Sequence, residues 1–286
     1  MPSILDNVKE QLLKVDFSKI EYSEGSITYY ADGVATASGL LGAGFSEIVK
    51  IYSYDESSYI LGLVFNLDHH NTGIICLEEN QDIKVGSRVV TTGEVYSIEV
   101  SGSLLGRVVD VLGNPVDGLG GVHHKDSRKM PVDRKAYGVI DRKSVTEPLQ
   151  TGMIAIDGLI PIGRGQRELI IGDRQTGKTT VAIDTIINQG KINQKIDSGE
   201  KKGRKVYSVY VSIGQKRARL ANIVTRLKEL DVLKYTVVIS ASASENSAVQ
   251  YLAPFAGSSV GEFFMEKGED ALVVYDDLSK HAKAYR

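Results

Sequence analysis

Residues 172–179 read GDRQTGKT and fit the phosphate-binding spacing G-x-x-x-x-G-K-[ST]. In that pattern, glycines let backbone N–H groups close around phosphate oxygens, and the start of the following helix adds partial positive charge. Ligand binding is therefore assigned to Gly172, Asp173, Arg174, Gln175, Thr176, Gly177, Lys178 and Thr179. Lys178 is expected to reach the outer phosphates and the Thr179 hydroxyl to sit on Mg²⁺. A bare glycine turn capping an ordinary helix is the competing explanation, and the flanks argue against it. The apolar run 168–171 reads as a strand and 180–187 as a helix, the context a phosphate loop requires. A nucleoside triphosphate or diphosphate with Mg²⁺ is the expected ligand.

Asp276 and Asp277 follow a second apolar run, 271–275. A carboxylate at the C-terminal end of a strand near a phosphate loop is where a second Mg²⁺ anchor belongs, and Asp276 is assigned that role. The alternative is that the pair caps a helix beginning near Leu278. Hydrolysis also needs a group that orients or deprotonates water. The run 206–213 is followed by Gly214, Gln215, Lys216 and Arg217. Gln215 can orient water but cannot take its proton as a carboxylate does. Some GTPases position water with glutamine, so the residue shifts the expectation toward a site that binds nucleotide and turns it over slowly or not at all. No residue of this chain is assigned a catalytic role.

These groups need a scaffold, and the chain has room for one. Its 286 residues can hold two domains, and 42% hydrophobic with 24% charged residues is ordinary for a globular protein. The net charge of −2 gives no general attraction to nucleic acid or anionic lipid. A single cysteine, Cys76, excludes an internal disulfide framework and reads as a buried small hydrophobe. No apolar stretch is long enough to span a bilayer, and the N-terminus lacks the pattern of a signal peptide. Residues 3–15 place apolar side chains at helical spacing.

From about residue 21 to 100 the pattern becomes β. Runs at 27–30, 47–54, 59–66, 73–78 and 87–92 alternate with turn residues, which predicts a small barrel or sandwich. His69 and His70 lie in a turn without carboxylate or cysteine partners at metal-ligand spacing. After a turn-dense link at 113–118, the stretch to 150 is polar and irregular. Beyond it strands and helices alternate: a polar connection at 190–205, a strand at 206–213, a helix at 217–231, a strand at 236–240, a helix at 247–267 and a strand at 271–275. That order predicts a mainly parallel sheet covered on both faces. The expected division is a helical segment 1–20, a β-barrel domain 21–98 and a nucleotide-binding domain 99–286.

With these residues placed, the chain resembles the alpha subunits of rotary F-type ATP synthases. GDRQTGKT is the alpha form of the loop, beside the GGAGVGKT-like form of catalytic beta subunits. Further matching stretches are LLGRVVDVLGNPVDG at 104–118, PIGRGQRELIIGDRQTGKT at 161–179, AIDTIINQ at 182–189, VSIGQKR at 211–217, QYLAPFAGSSVGEFF at 250–264 and ALVVYDDLSKHAKAYR at 271–286. The resemblance implies a six-stranded N-terminal β-barrel followed by a RecA-like α/β domain, incomplete at Arg286. It implies ATP or ADP held with Mg²⁺ at Thr179 and Asp276 without turnover, Gln215 standing where beta subunits carry a catalytic glutamate. It further implies beta-type catalytic partners in an alternating hexamer, a central rotor shaft, a peripheral stalk contacted through the N-terminus, and membrane attachment only through the complex. The membrane would be an energy-coupling one, faced from the bacterial cytoplasm or the organelle matrix or stroma. Tyr137 and Asp141 depart from the family, which commonly has prolines there. Family members continue beyond Arg286, so the chain is expected to be a fragment or one piece of a divided subunit. A catalytically active rotary or export ATPase is the alternative. An RNA translocase of the Rho type is disfavoured by the acidic balance and by tyrosines that fit strand packing, so no nucleic-acid partner is expected.

Overall fold

The computed structural model describes residues 22–78, 80–122, 127–173 and 175–286. The chain divides between Tyr96 and Ser97 into two compact units. The helical spacing at 3–15 lies outside the described residues, as does Arg174.

The first unit is a closed barrel of six antiparallel-paired strands: β1 (Glu24–Ala31), β2 (Val34–Ser38), β3 (Glu47–Tyr52), β4 (Tyr59–Leu67), β5 (Thr72–Cys76) and β6 (Arg88–Val95), in the order β1-β2-β5-β4-β3-β6. Alternation drives it. Along β3, Glu47, Val49 and Ile51 are buried while the residues between are half-exposed, as a strand with one face on a core must be. Ile27, Val49, Ile51, Ile74 and Val89 fill the centre. Gly62 is there because a Cβ would lie 2.5 Å from Ile74 Cγ2. Cys76 is fully buried in this core, and burial pushes its thiol up to about 12, which makes it chemically inert. The sequence pattern does not reveal β2: VATAS carries small residues and too weak an apolar signal, and only its pairing to β1 and β5 defines it.

In the second unit, β7 (Ser97–Val100) pairs with β9 (Arg128–Pro131), and β10 (Pro148–Leu149) pairs with β11 (Ile162–Gly163). The main sheet is parallel, in the order β14-β12-β13-β8, from β8 (Val108–Val109), β12 (Val206–Gln215), β13 (Thr236–Ser242) and β14 (Asp270–Asp276). Its helices are α1 (Ile154–Leu159), α2 (Lys178–Asp197), α3 (Arg217–Glu229), α4 (Ser247–Glu266) and α5 (Leu278–Tyr285). β12 and β13 are buried along nearly their whole length, which is why they read as continuous apolar runs. Ile183, Ile186 and Ile187 of α2 and Leu220 and Leu227 of α3 pack with Tyr210 and Val238 on one face. Burial of each isoleucine contributes about 1.5–3 kcal/mol. On the other face α4 comes close through Gly257 and Gly261, where a Cβ would lie 2.3 Å from Val211 Cγ2 and 2.6 Å from Val273 Cγ2.

Two expectations are corrected. The helix after the phosphate loop continues to Asp197, so residues 190–197 are helical and only 198–205 connect to β12. Its polar residues there are held to the sheet: Asn193 exchanges hydrogen bonds with both backbone groups of Val206. The apolar run 168–171, expected as a strand, is not one. Arg164, before the run, pairs with Asp270 at the start of β14, and Thr179, after it, bonds Asp276 at the strand's end. Among the described residues no ladder joins the run to β14. A strand exists through its ladder, so the segment stays irregular, with Leu169 73% and Ile171 86% exposed. β14 itself is paired only to β12 among the described residues, and all seven of its residues are half-buried.

Candidate nucleotide site

The loop closes onto itself in a form suited to anions. Gln175 (φ 64°) and Gly177 (φ 89°) adopt the left-handed conformation. A Cβ at Gly177 would meet nothing within 4 Å, so this glycine is required by backbone conformation and not by crowding. Thr176 donates its hydroxyl to the Asp173 carbonyl at 2.8 Å, which holds the loop's curl. The Lys178 ammonium folds over the loop, donating to the Gly172 carbonyl at 2.6 Å and to that of Asp173. Lys178 also begins α2, twenty residues long, whose first turn has no acidic residue and, among the described residues, no capping side chain. Its first N–H groups therefore lack intrahelical partners and carry the positive end of the helix dipole toward the loop. A loop of this shape fits polyphosphate: an anion supplies the acceptors that these donors lack.

Thr179 is the second helical residue, and its Oγ1 donates to Asp276 Oδ2 at 2.7 Å across the gap to the end of β14. The two residues assigned to Mg²⁺ from sequence are thus in direct contact, though 97 positions apart. A hydroxyl and a carboxylate side by side at a phosphate loop fit Mg²⁺, which takes oxygen ligands from protein and phosphate together. Asp277 takes the capping role weighed for the pair. Its Oδ1 accepts from the Lys280 backbone N–H at 2.8 Å and caps α5, which leaves Asp276 alone to face the loop.

Gln215 ends β12 and turns its side chain toward the same carboxylate, donating through Nε2 to Asp276 Oδ1 at 3.2 Å. The preceding Gly214 (φ 60°) makes the turn, and a Cβ there would lie 2.7 Å from Gln250 Oε1. Two further groups went unrecognised in the sequence. Tyr210, fully buried in β12, donates its hydroxyl to Asp276 Oδ2 at 2.9 Å. Burial, followed by the charge of Asp276, pushes its phenol far above the ordinary range, so it acts only as a neutral donor. Arg219 of α3 donates through Nη2 to Thr179 Oγ1 at 2.6 Å and through Nη1 to Gln215 Oε1 at 3.3 Å. The run 206–213 displayed Tyr210 only as an apolar strand residue. Arg219 read as an ordinary helical charge, and only the crossing of β12 past α2 brings it to the loop.

Asp276 is thus the hub, with both oxygens occupied by donors from α2 and β12. A cavity of about 590 Å³ lined by Thr151, Asp184, Asn188, Arg226 and Glu229 shares no residue with this site. Its Asp184 and Arg226 are paired with each other at 2.9 Å.

Comparison with known proteins agrees with this architecture. Residues 34–93 match the ATP synthase alpha/beta family, beta-barrel domain, and residues 152–286 match its nucleotide-binding domain. The chain is 49% identical over 283 residues to "ATP synthase subunit alpha" of Wolbachia pipientis subsp. Culex pipiens (strain wPip), covering 99% of this chain and 53% of that protein. It is 51% identical over 262 residues to the protein of the same name from Wolbachia pipientis wMel, covering 92% of this chain and 49% of the relative. The chain therefore spans about half the length of the curated relatives it matches. A barrel of the family's type, followed by its nucleotide-binding domain with the phosphate loop in place, establishes that the chain belongs to the ATP synthase alpha/beta family.

Proposed function

We propose that this chain is the nucleotide-holding, non-catalytic alpha-type component of a proton-translocating ATP synthase. One observation carries the reading: the loop, Thr179 and Asp276 converge on one point, and the groups facing it from β12, the Gln215 amide and the neutral Tyr210 hydroxyl, include no carboxylate. Backbone N–H groups of residues 172–179 and the Lys178 ammonium would hold the phosphates of ATP or ADP, and Thr179 with Asp276 would hold Mg²⁺. Bound there, Mg²⁺ would neutralise phosphate charge. Gln215 directs its donor at Asp276 and has no basic site for a water proton, so the chain's own residues bind and position without cleaving. An amide stands where a carboxylate would be needed to accept such a proton.

Relatives named as alpha subunits support the wider assignment. Beta-type catalytic subunits alternating with this chain in a hexamer, a central rotor shaft and a peripheral stalk reached through the N-terminus would be its partners. Among the described residues no helix is long and apolar enough to cross a membrane, so attachment would run through the rest of the complex.

The test is nucleotide retention and single-turnover chemistry in the assembled complex with its beta-type partner. Wild-type chain should retain adenylate recovered as uncleaved ATP, and Lys178→Ala should lose that retained nucleotide while turnover at the partner's sites persists. Rapid single-turnover hydrolysis assigned to this chain's own site would instead favour the active rotary or export ATPase.

A further inference from the structure

Arg219 is the third residue of α3, a helix whose first turn carries Arg217 and Arg219 and no acid. Cations at a helix N-terminus oppose the dipole, so a local anion or acceptor should hold such a residue. Arg217 lies 3.7 Å from Glu245. Arg219 turns instead to uncharged oxygens, Thr179 Oγ1 at 2.6 Å and Gln215 Oε1 at 3.3 Å. Thr179 Oγ1 is also the atom that would ligate Mg²⁺.

Filling both positions at once is electrostatically unfavourable. Thr179 gives its hydrogen to Asp276 and a lone pair to Arg219. A Mg²⁺–oxygen bond is about 2.0–2.1 Å, so a metal on the remaining lone pair would stand within about 4 Å of the guanidinium nitrogen. Two cations that close on one neutral oxygen repel strongly.

We infer that Arg219 is a built-in stand-in for the metal's charge: its guanidinium holds positive charge next to the Mg²⁺ position, on Thr179, until Mg²⁺ displaces it. This rests on the nucleotide-holding reading above. Metal-free nucleotide would then meet a site that already carries a second cation beside Lys178, and Mg²⁺ would have to displace that cation. The residue therefore tunes the metal requirement of binding. It is a positioning residue and takes no part in bond cleavage.

The two consequences have opposite signs, and this separates them from simple damage to the fold. Isothermal titration of the full chain with ADP, at a series of MgCl₂ concentrations and in EDTA, reads both. For Arg219→Ala, the Mg²⁺ concentration giving half-maximal ADP binding should fall by about fivefold or more, because no charge-assisted hydrogen bond has to be broken. In EDTA the same variant should bind ADP several-fold more weakly than wild type. Arg219→Lys, which keeps charge but loses the fork, should lie between the two. An unchanged Mg²⁺ midpoint, or a uniform loss of affinity with and without metal, overturns the inference. Wild-type chain that binds no ADP even at saturating MgCl₂ overturns the nucleotide-holding reading itself, and the two failures are distinguishable.

Discussion

Arg107 and Asp117 illustrate how single residues hold this domain in place away from the loop. The guanidinium fork meets the carboxylate through Nε at 2.6 Å and Nη2 at 2.8 Å, and the side chains are only 14% and 10% exposed. Asp117 also accepts from the Val108 N–H at 3.1 Å, fastening the edge strand β8 to the turn that follows it. The Arg107 hydrogen bond holds the Asp117 carboxyl well below the usual range, against the desolvation that would raise it. Asp117→Asn removes the charge partner of a largely buried arginine, leaving its Nη2 on the Gly120 carbonyl, and should cost about 3 kcal/mol, read as a lowered denaturant midpoint at pH 7. The sign of the pH dependence follows from a depressed folded-state value. The contribution is full above the unfolded carboxylate value of about 3.9 and is lost as pH falls through the lower folded value. The gap between wild type and variant should therefore be constant near neutrality and close only in acid. A gap that widens on acidification would contradict this pairing. In the candidate site, Lys178, Thr179, Asp276 and Gln215 were legible because their chemistry is tied to local spacing. Tyr210 and Arg219 were not, because their contacts arise only where β12 and α3 pass α2.

Among the elements, periodicity carried the strands and helices whose pattern is self-contained. The expectation of a helix at 247–267 meets α4 at Ser247–Glu266, and the runs at 206–213 and 271–275 meet β12 and β14. What periodicity does not reveal is how near a helix lies to its sheet. The sequence of α4 contains Gly257 and Gly261, which cost helix stability intrinsically. The structure supplies their reason, since both face side chains of the sheet at distances that exclude a Cβ. Gly257→Ala should raise helix propensity yet destabilise the domain by about 1–3 kcal/mol through overpacking against Val211. Val211→Ala in the same chain should recover part of that loss, because it removes the atom the new methyl strikes. A double-mutant cycle measured by chemical denaturation reads the coupling. Strictly additive losses would show that α4 and β12 are not in the contact described.

For the whole molecule, the segment 168–171 matters most. Its apolar pattern matches a strand, but a pattern is silent about neighbours. A strand's backbone needs partners, and a run such as Leu169-Ile170-Ile171 offers side chains that water solvates poorly. Here the run lies exposed, and the residues that bracket it, Arg164 and Thr179, contact the two ends of a β14 that has no second partner strand among the described residues. An exposed apolar run and an open sheet edge are both features that favour being covered. The phosphate loop begins where this segment ends, so covering it should also steady the ligand site. Hydrogen exchange tests the chain in two states. In the isolated chain, amides of residues 168–171 should exchange faster by orders of magnitude than those of β12, whose groups are locked between β13 and β14. In the assembly proposed above, protection at 168–171 should rise toward that of β12, and nucleotide should then be held more tightly than by the chain alone. Equal protection of the two segments in the isolated chain would mean that 168–171 is already paired. Rapid exchange in both states would mean that no strand forms there, and the flanks of the loop would still be tied to the two ends of β14 through Arg164 and Thr179.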